Sequence, residues 1–507
     1  MKHCFTLMLA ALLLVPGWAK AQSETKELTN LVIFLRFADD EEIDHSFADI
    51  DSMFNCRTPR YYSVYNYYDA MTYGRIHYNT VYTNNIQNGI IVSYRDTMPR
   101  GYFQPYDSAE NPIGYQPWEQ PFMGISMREA QLQARAFHYV DSLGLVDTNI
   151  VLDGDGDGYI DNVSFIVKGD VGGWASILWP HMEYFPHDSI DHSVTVNGMR
   201  PNTFNFEFEG SEHGYFTAQV FCHELGHSLN LPDLYHYVNY SNVTPAGSWD
   251  VMCNNHEGAN HTAAIYKNKI LHVCDDPIEI THDGDYTLYS VGSSPHQNCY
   301  YIKSAIDSTQ WFTFEYRNKQ DPFEFGIPHT GLITARWNDT VPLDYNGMFA
   351  NAFFDGQSRA HQYWVFRPGS DSDTEDGNIY AAYFCAQVER TEFGPSTNPH
   401  PYLTDGTPET SFEITNIQEN GTELTFHVHF LSGPHVGATT AEDLAVMGYS
   451  LRVMDKRIIV EGAEGEEVRI FDMMGRLIST ANEASAPSGV YLVKVGDRPA
   501  KKVIVMK

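Results

Sequence analysis

The sequence predicts an α+β chain, with helices and strands interleaved in its first half and strands alone after that. Three observations carry this expectation. Helical periodicity is confined to a few segments before residue 275, each flanked by apolar strand-like runs. From about residue 276 the pattern becomes short β-rich runs separated by Gly, Pro, Asp and Asn. The chain has 507 residues, 32 Tyr and 29 Phe among them, which is too long for one ordinary core and rich in strand-favouring side chains.

The elements follow in order. Met1-Lys2-His3, an apolar run from Cys4 to Val15 and the small-x-small site Ala19-Lys20-Ala21 read as a signal peptide over 1–21. Leu31 to Leu35 is a buried-strand run, and the first strand is expected to begin near Leu31. Ser126 to Leu143 has helical spacing through Met127, Ala130, Ala134, Phe137 and Val140. Ser126 and Glu129 form a capping-box start, and Gly144 supplies the stop. Val163 to Val167 reads as a strand and Phe216 to Leu229 as a second helix. A sheet-and-helix domain over 22–275 is therefore followed by a β-rich domain over 276–430. A linker over 431–442 and a small β-sandwich over 443–507 complete the chain.

The net charge is −33, from 32 basic and 65 acidic residues. A field of that sign repels nucleic acid and anionic membranes and favours cations. No stretch after the leader approaches the length of an apolar membrane span, so no transmembrane segment is expected in the mature chain. Six cysteines remain after Cys4, in no metal-knuckle or dense disulfide spacing; Cys222 and Cys253 are the favoured pair.

Two imidazoles stand four residues apart at His223 and His227, on one face of the second helix. That spacing lets both bind one metal ion, and Glu224 beside them can reach a water on that ion without being a ligand. A third ligand requires the chain to turn sharply after His227. Asn230 tolerates the left-handed backbone such a turn uses, Pro232 stiffens the return, and Asp233 offers a carboxylate. Gly247-Ser248-Trp249-Asp250-Val251-Met252 could set Met252 as an apolar floor under the metal. His256 and His261 read as ordinary polar residues.

This segment resembles the metzincin pattern. Asp233 followed by Leu234-Tyr235 makes it similar to the immune inhibitor A family of secreted metalloproteases. Ser63 to Tyr68, Thr72 to Ile76, Asp153 to Asp161, Trp179-Pro180-His181 and Phe314 to Asn318 match that family in order, over roughly residues 30 to 340. Asn230 departs from it, since the family usually has Gly there. The resemblance implies a metzincin-like twisted sheet with a zinc-binding helix. It also implies His223, His227 and Asp233 as zinc ligands, and Glu224 as the general base that uses a zinc-activated water to hydrolyse peptide bonds of protein or peptide substrates. A catalytically vestigial secreted binding or adhesion protein and a non-peptidase zinc hydrolase are the alternatives. The intact Glu224 speaks against the first and the family likeness against the second.

Asp153-Gly154-Asp155-Gly156-Asp157-Gly158-Tyr159-Ile160-Asp161 sets carboxylates at alternate positions, as a calcium loop does. Asp153, Asp155, Asp157 and Asp161 would be side-chain ligands and Tyr159 a carbonyl ligand. Ser164 stands at the twelfth position and a strand follows, so a regular EF-hand is not expected. Val468 to Arg476, Pro487 to Val495 and Lys501 to Val505 look like the C-terminal sorting domain of type IX secretion cargo in Bacteroidota. That likeness implies the type IX machinery as a partner. It also implies passage through the periplasm to the cell surface or the medium.

Overall fold

The computed structural model describes residues 25–119, 126–169, 177–178, 180–186, 193–210, 217–235, 243–254, 258–341 and 361–431, and, between 450 and 505, all but 455–456, 462, 464–465, 473–475, 488 and 497–500. The expected signal peptide, Phe216, Trp179, His256, Gly475 and all of the expected linker but Leu431 lie outside the described residues. The fold is mixed α+β, with few helices and several sheets. It divides into two compact units, 1–433 and 434–507. Among the described residues no helix is long and apolar enough to cross a membrane.

The first unit is built on a twisted sheet of β1 (Lys26–Arg36), β2 (Ile76–Tyr82), β3 (Asn162–Val167), β4 (His181–Tyr184) and β5 (Thr203–Phe208). Its order is β2-β1-β3-β5-β4. Pairing is parallel throughout except for the terminal strand β4, which runs antiparallel to β5. β1 begins five residues before the expected Leu31 and already pairs with β2 from Lys26. Local hydrophobicity misses this stretch because Lys26 and Glu27 are polar and exposed.

Helices α1 (Phe47–Asn55), α2 (Val64–Met71), α3 (Met127–Ser142), α4 (Ala218–Ser228) and α5 (Ala264–Lys269) cover the sheet. Strand alternation sorts the two faces. Leu31, Ile33 and Leu35 pack with Phe137 and Val140 of α3; Val32 and Phe34 pack with Phe221 and Leu225 of α4. Serines 46, 63 and 126 cap α1, α2 and α3 by accepting the backbone N–H three residues on. The capping box at α3 is only half formed. Ser126 caps Glu129 N, but the Glu129 carboxylate turns inward to His181 Nε2 at 3.2 Å, tying α3 to the terminal strand β4.

The strands after residue 276 are β6 (Ile278–Glu279), β7 (Gly284–Tyr289), β8 (Tyr300–Lys303), β9 (Gln310–Arg317), β10 (Gly331–Asn338), β11 (Tyr363–Val365), β12 (Tyr383–Phe384), β13 (Phe412–Asn420) and β14 (Glu423–Phe430). One sheet runs β6-β8-β9-β10-β11, with β12 also on β10; the other runs β7-β14-β13. Phe312, Phe314, Leu332, Trp364, Phe412 and Phe426 fill the space between them. The opposite face of the larger sheet is covered too. Ile333, Ala335 and Trp337 join Tyr67, Leu225 and Tyr266 in one core, so the stretches 22–275 and 276–430 share hydrophobic interior within a single compact unit.

The second unit has two small sheets. One is formed by Ser450–Met454, Arg457–Glu461 and Glu483–Ser485, the other by Leu477–Ser479, Val468–Asp472, Gly489–Val495 and Lys501–Val505. Ile458, Val460, Val468, Ile470 and Val493 form its core.

The expected Cys222–Cys253 disulfide is not formed, and all six described cysteines are free thiols. Cys222 faces the core beside Phe54 and Phe221, while Cys253 Sγ accepts the Gly247 N–H at 3.0 Å. Nearness in sequence to two motifs of one site did not aim the two side chains at each other.

Candidate metal centre

Helix α4 carries His223 and His227 one turn apart, with ring centroids 4.8 Å apart and planes at 89°. Their Nε2 atoms lie 3.2 Å from each other. The helix then stops abruptly. The carbonyl of Gly226 accepts from both Leu229 N and Leu231 N, and His227 O accepts from Asn230 N at 2.8 Å. Asn230 sits at φ 67°, the left-handed conformation that the turn after His227 demands. The returning chain sets Asp233 Oδ1 3.1 Å from His223 Nε2 and 3.2 Å from His227 Nε2. Ligating atoms of His223, His227 and Asp233 all fall within 4.8 Å of one another.

Each histidine is oriented through its other nitrogen. His223 Nδ1 donates to Val251 O at 2.8 Å, and His227 Nδ1 donates to Leu231 O at 2.7 Å. A carbonyl only accepts, so each Nδ1 carries a proton and both Nε2 atoms point at the shared space. Two imidazole nitrogens and one carboxylate are a donor set that suits zinc. Among the described residues no fourth His, Cys, Asp or Glu joins it.

The electrostatics agree with a cation site. Burial opposes the ionised form of Asp233, but His227 and His223 outweigh it and hold its carboxyl far below the usual range. Burial likewise opposes a proton on His223, yet Asp233 and Glu224 outweigh it and raise its pKa to about 9.

Glu224 is buried beside these groups. Sequence reasoning missed its neighbour Glu207 on β5, a fully buried carboxyl. Burial, and then the charge of Glu224, push the pKa of Glu207 well up. Its Oε1 meets no hydrogen-bond partner among the described residues. The signal was in the alternation of β5, where Thr203, Asn205 and Glu207 share one face and Phe204, Phe206 and Phe208 the other.

Met252 lies under the helix between the two histidines: a Cβ added at Gly226 would meet Met252 Sδ at 2.9 Å. The turn that carries it is organised by Asp250, whose carboxylate accepts from Met252 N at 2.8 Å, Ala263 N at 2.7 Å and Thr262 Oγ1 at 2.9 Å. Met252 O in turn accepts from Leu234 N, one residue after Asp233. Tyr235 entered the sequence reading only as part of the family likeness, with no role at the site. Its ring stacks on His223 at 6.3 Å, its hydroxyl is hydrogen-bonded to Asp233, and 36 % of it stays exposed. His261 is buried away from this centre, with Nδ1 3.2 Å from Lys267 Nζ.

The acidic loop brings together Asp153, Asp155 and Asp161; Asp157 falls outside that group. Asp153 accepts the N–H groups of Gly156, Asp157 and Gly158, and Asp161 accepts those of Thr29 and Gly154. Asp157 accepts from Tyr159 N, and Tyr159 pairs with Arg200 in a two-residue parallel bridge. The loop runs straight into β3, whose first residue, Asn162, accepts from Ser228 Oγ at 2.9 Å at the end of α4. A cavity of about 260 Å³ lies between the loop and the Ser228-Leu229-Asn230 turn.

No protein-family profile matches this chain, and no curated protein matches it at a significant level.

Proposed function

We propose that this chain is a secreted zinc-dependent endopeptidase of the metzincin type, similar to the immune inhibitor A family. The observation that carries the reading is the convergence of His223 Nε2, His227 Nε2 and Asp233 Oδ1, both imidazoles locked through Nδ1, with Glu224 buried alongside. A zinc ion bound there supplies Lewis acidity toward a carbonyl oxygen and a water molecule. Glu224 takes a proton from the attacking water and returns it to the amine that leaves. The sheet order supports the same reading. β4 is the terminal, antiparallel strand and α4 packs against it, so an extended peptide can add to that edge by backbone hydrogen bonds beside the metal.

Calcium at Asp153, Asp155 and Asp161 belongs to the proposal as a structural ion, supported by three carboxylates brought together on one loop. Export through the type IX machinery, with the unit 434–507 as the sorting domain, rests on the motifs of that segment and on its two-sheet core.

Zinc content measured beside peptidase rate tests the centre. Glu224→Ala keeps zinc and folding and loses at least ~10²-fold in rate, the usual worth of a positioned general base. His227→Ala loses both zinc and activity. Asp233→Ala weakens zinc binding more than Glu224→Ala does. An apo Glu224→Ala protein makes that carboxylate a ligand and closes the site. A zinc-loaded parent that cleaves no protein substrate returns the chain to the class of binding proteins.

A further inference from the structure

Arg317 lies at the C-terminal end of β9, and its side chain has no solvent exposure. Strand alternation sends Phe312, Phe314 and Tyr316 into the sandwich and turns Thr313, Glu315 and Arg317 toward the first sheet-and-helix stretch. There the guanidinium is fully engaged. Nη1 donates to Trp249 O and to Glu315 Oε1 at 3.1 Å. Nη2 donates to His261 O at 2.8 Å and to Glu324 Oε1 at 2.6 Å, and Nε donates to Glu324 at 3.1 Å. The two carboxylates extend the grip: Glu315 Oε2 accepts from Ala264 N at 2.8 Å and Glu324 Oε1 from His261 N at 3.2 Å.

Every one of these backbone contacts falls on residues 249–264, and the near end of that segment is the underside of the metal centre. Trp249 directly precedes Asp250, Val251 and Met252. Val251 O orients His223, Met252 packs under Gly226, and Met252 O holds the backbone next to Asp233. We infer that Arg317 is a positioning residue for the metal centre: by clamping the carbonyls of Trp249 and His261 it fixes the 249–252 turn, and through it His223 and Asp233. It touches neither metal nor substrate, and the inference rests on the zinc reading above. The planar fork of arginine suits this task, because two carbonyls and two carboxylates are met in fixed directions that a lysine ammonium cannot all reach.

A buried arginine can also serve stability alone, and Arg336 provides the comparison. It is fully buried on the neighbouring strand β10, faces the sandwich, and pairs with Asp373 at 2.6 Å and 2.7 Å. The experiment uses the full chain and titrates zinc against a chromophoric chelator, well below the unfolding transition and with folding checked by circular dichroism. Arg317→Met should weaken zinc binding ~10–100-fold, the range seen when a partner of a metal ligand is removed. Arg317→Lys should fall between that variant and the parent, with kcat reduced more than KM. Arg336→Lys should lower stability and leave zinc affinity within twofold. Should Arg317→Met fail to fold, Arg317→Lys and Glu324→Gln carry the same comparison. Arg317 variants that fold and bind zinc as the parent does overturn the inference, as does an equal loss in Arg336→Lys. A parent that binds no zinc overturns the metal reading and this inference together.

Discussion

Asn230 is the residue on which the chain turns to bring Asp233 back beside His223 and His227. Its φ of 67° lies in a region that costs an L-residue roughly 1–2 kcal/mol, less for Asn and nothing for Gly. Asn230→Gly should therefore leave zinc affinity unchanged and alter stability by less than ~1 kcal/mol. Asn230→Val should cost ~1–2 kcal/mol in urea unfolding and weaken zinc severalfold, because the turn that delivers Asp233 is then strained. Equal zinc affinity in the Val variant would show that Asp233 does not depend on that backbone. At this scale the sequence was readable wherever chemistry is local. The spacing of His223 and His227, the need for a turn, and the single carboxylate after it are all properties of eleven consecutive residues. Glu207 and Arg317 were given no role. Each comes from a strand distant in sequence, and alternation sorts the faces of that strand without saying what will cover them.

Among the elements, the acidic loop is the one whose role a solution measurement can separate from the zinc chemistry. Its carboxylates accept backbone N–H groups of the loop and of Thr29 on β1, and burial raises Asp161 to about 6. Calcium bound only by the folded chain stabilises it by mass action, by about 2.7 kcal/mol at a hundredfold excess over its dissociation constant. The melting temperature should rise with calcium at fixed zinc, and Asp155→Asn should abolish that rise. Asp157→Asn should do less, since Asp157 stands outside the group of three. A melting curve indifferent to calcium would leave the loop as a self-bonded turn. Helix α3 was readable because capping and 3.6-residue periodicity are written in consecutive residues; α4, also expected, starts at Thr217 with no side-chain cap. β4 was not, because four half-buried residues with no clear alternation become a strand only through their pairing with β5.

Across the whole molecule, the change of texture at residue 276 marks a change of element type while the core continues through it. Periodicity reports which face of an element is apolar, never what will cover it. This is why the shared interior of 22–275 and 276–430 left no trace in the sequence. Lys267 sits at that junction, with Nζ 3.1 Å from Val291 O and 3.4 Å from Tyr73 Oη. Burial is the main cause that pushes its pKa down, to about 8. The unfolded chain keeps this proton to about 10.4. Between those values the unfolded state binds more protons, so this group's contribution to stability rises with pH. The unfolding free energy of the parent minus that of Lys267→Met should climb by up to about 1.4 kcal/mol per pH unit from pH 8 to 10. A difference that stays flat across that interval would mean Lys267 is not desolvated at the junction.

The clamp on Trp249 and His261 also has a consequence in time. A chain emerging N-terminus first exposes His223, His227 and Asp233 well before β9 and Glu324 have been made. Until then the turn beneath the helix has the Asp250 carboxylate to organise it but not the grip on Trp249 and His261. For the peptidase proposed above, activity would then wait on the order of assembly, because the site is complete only once the clamp has closed.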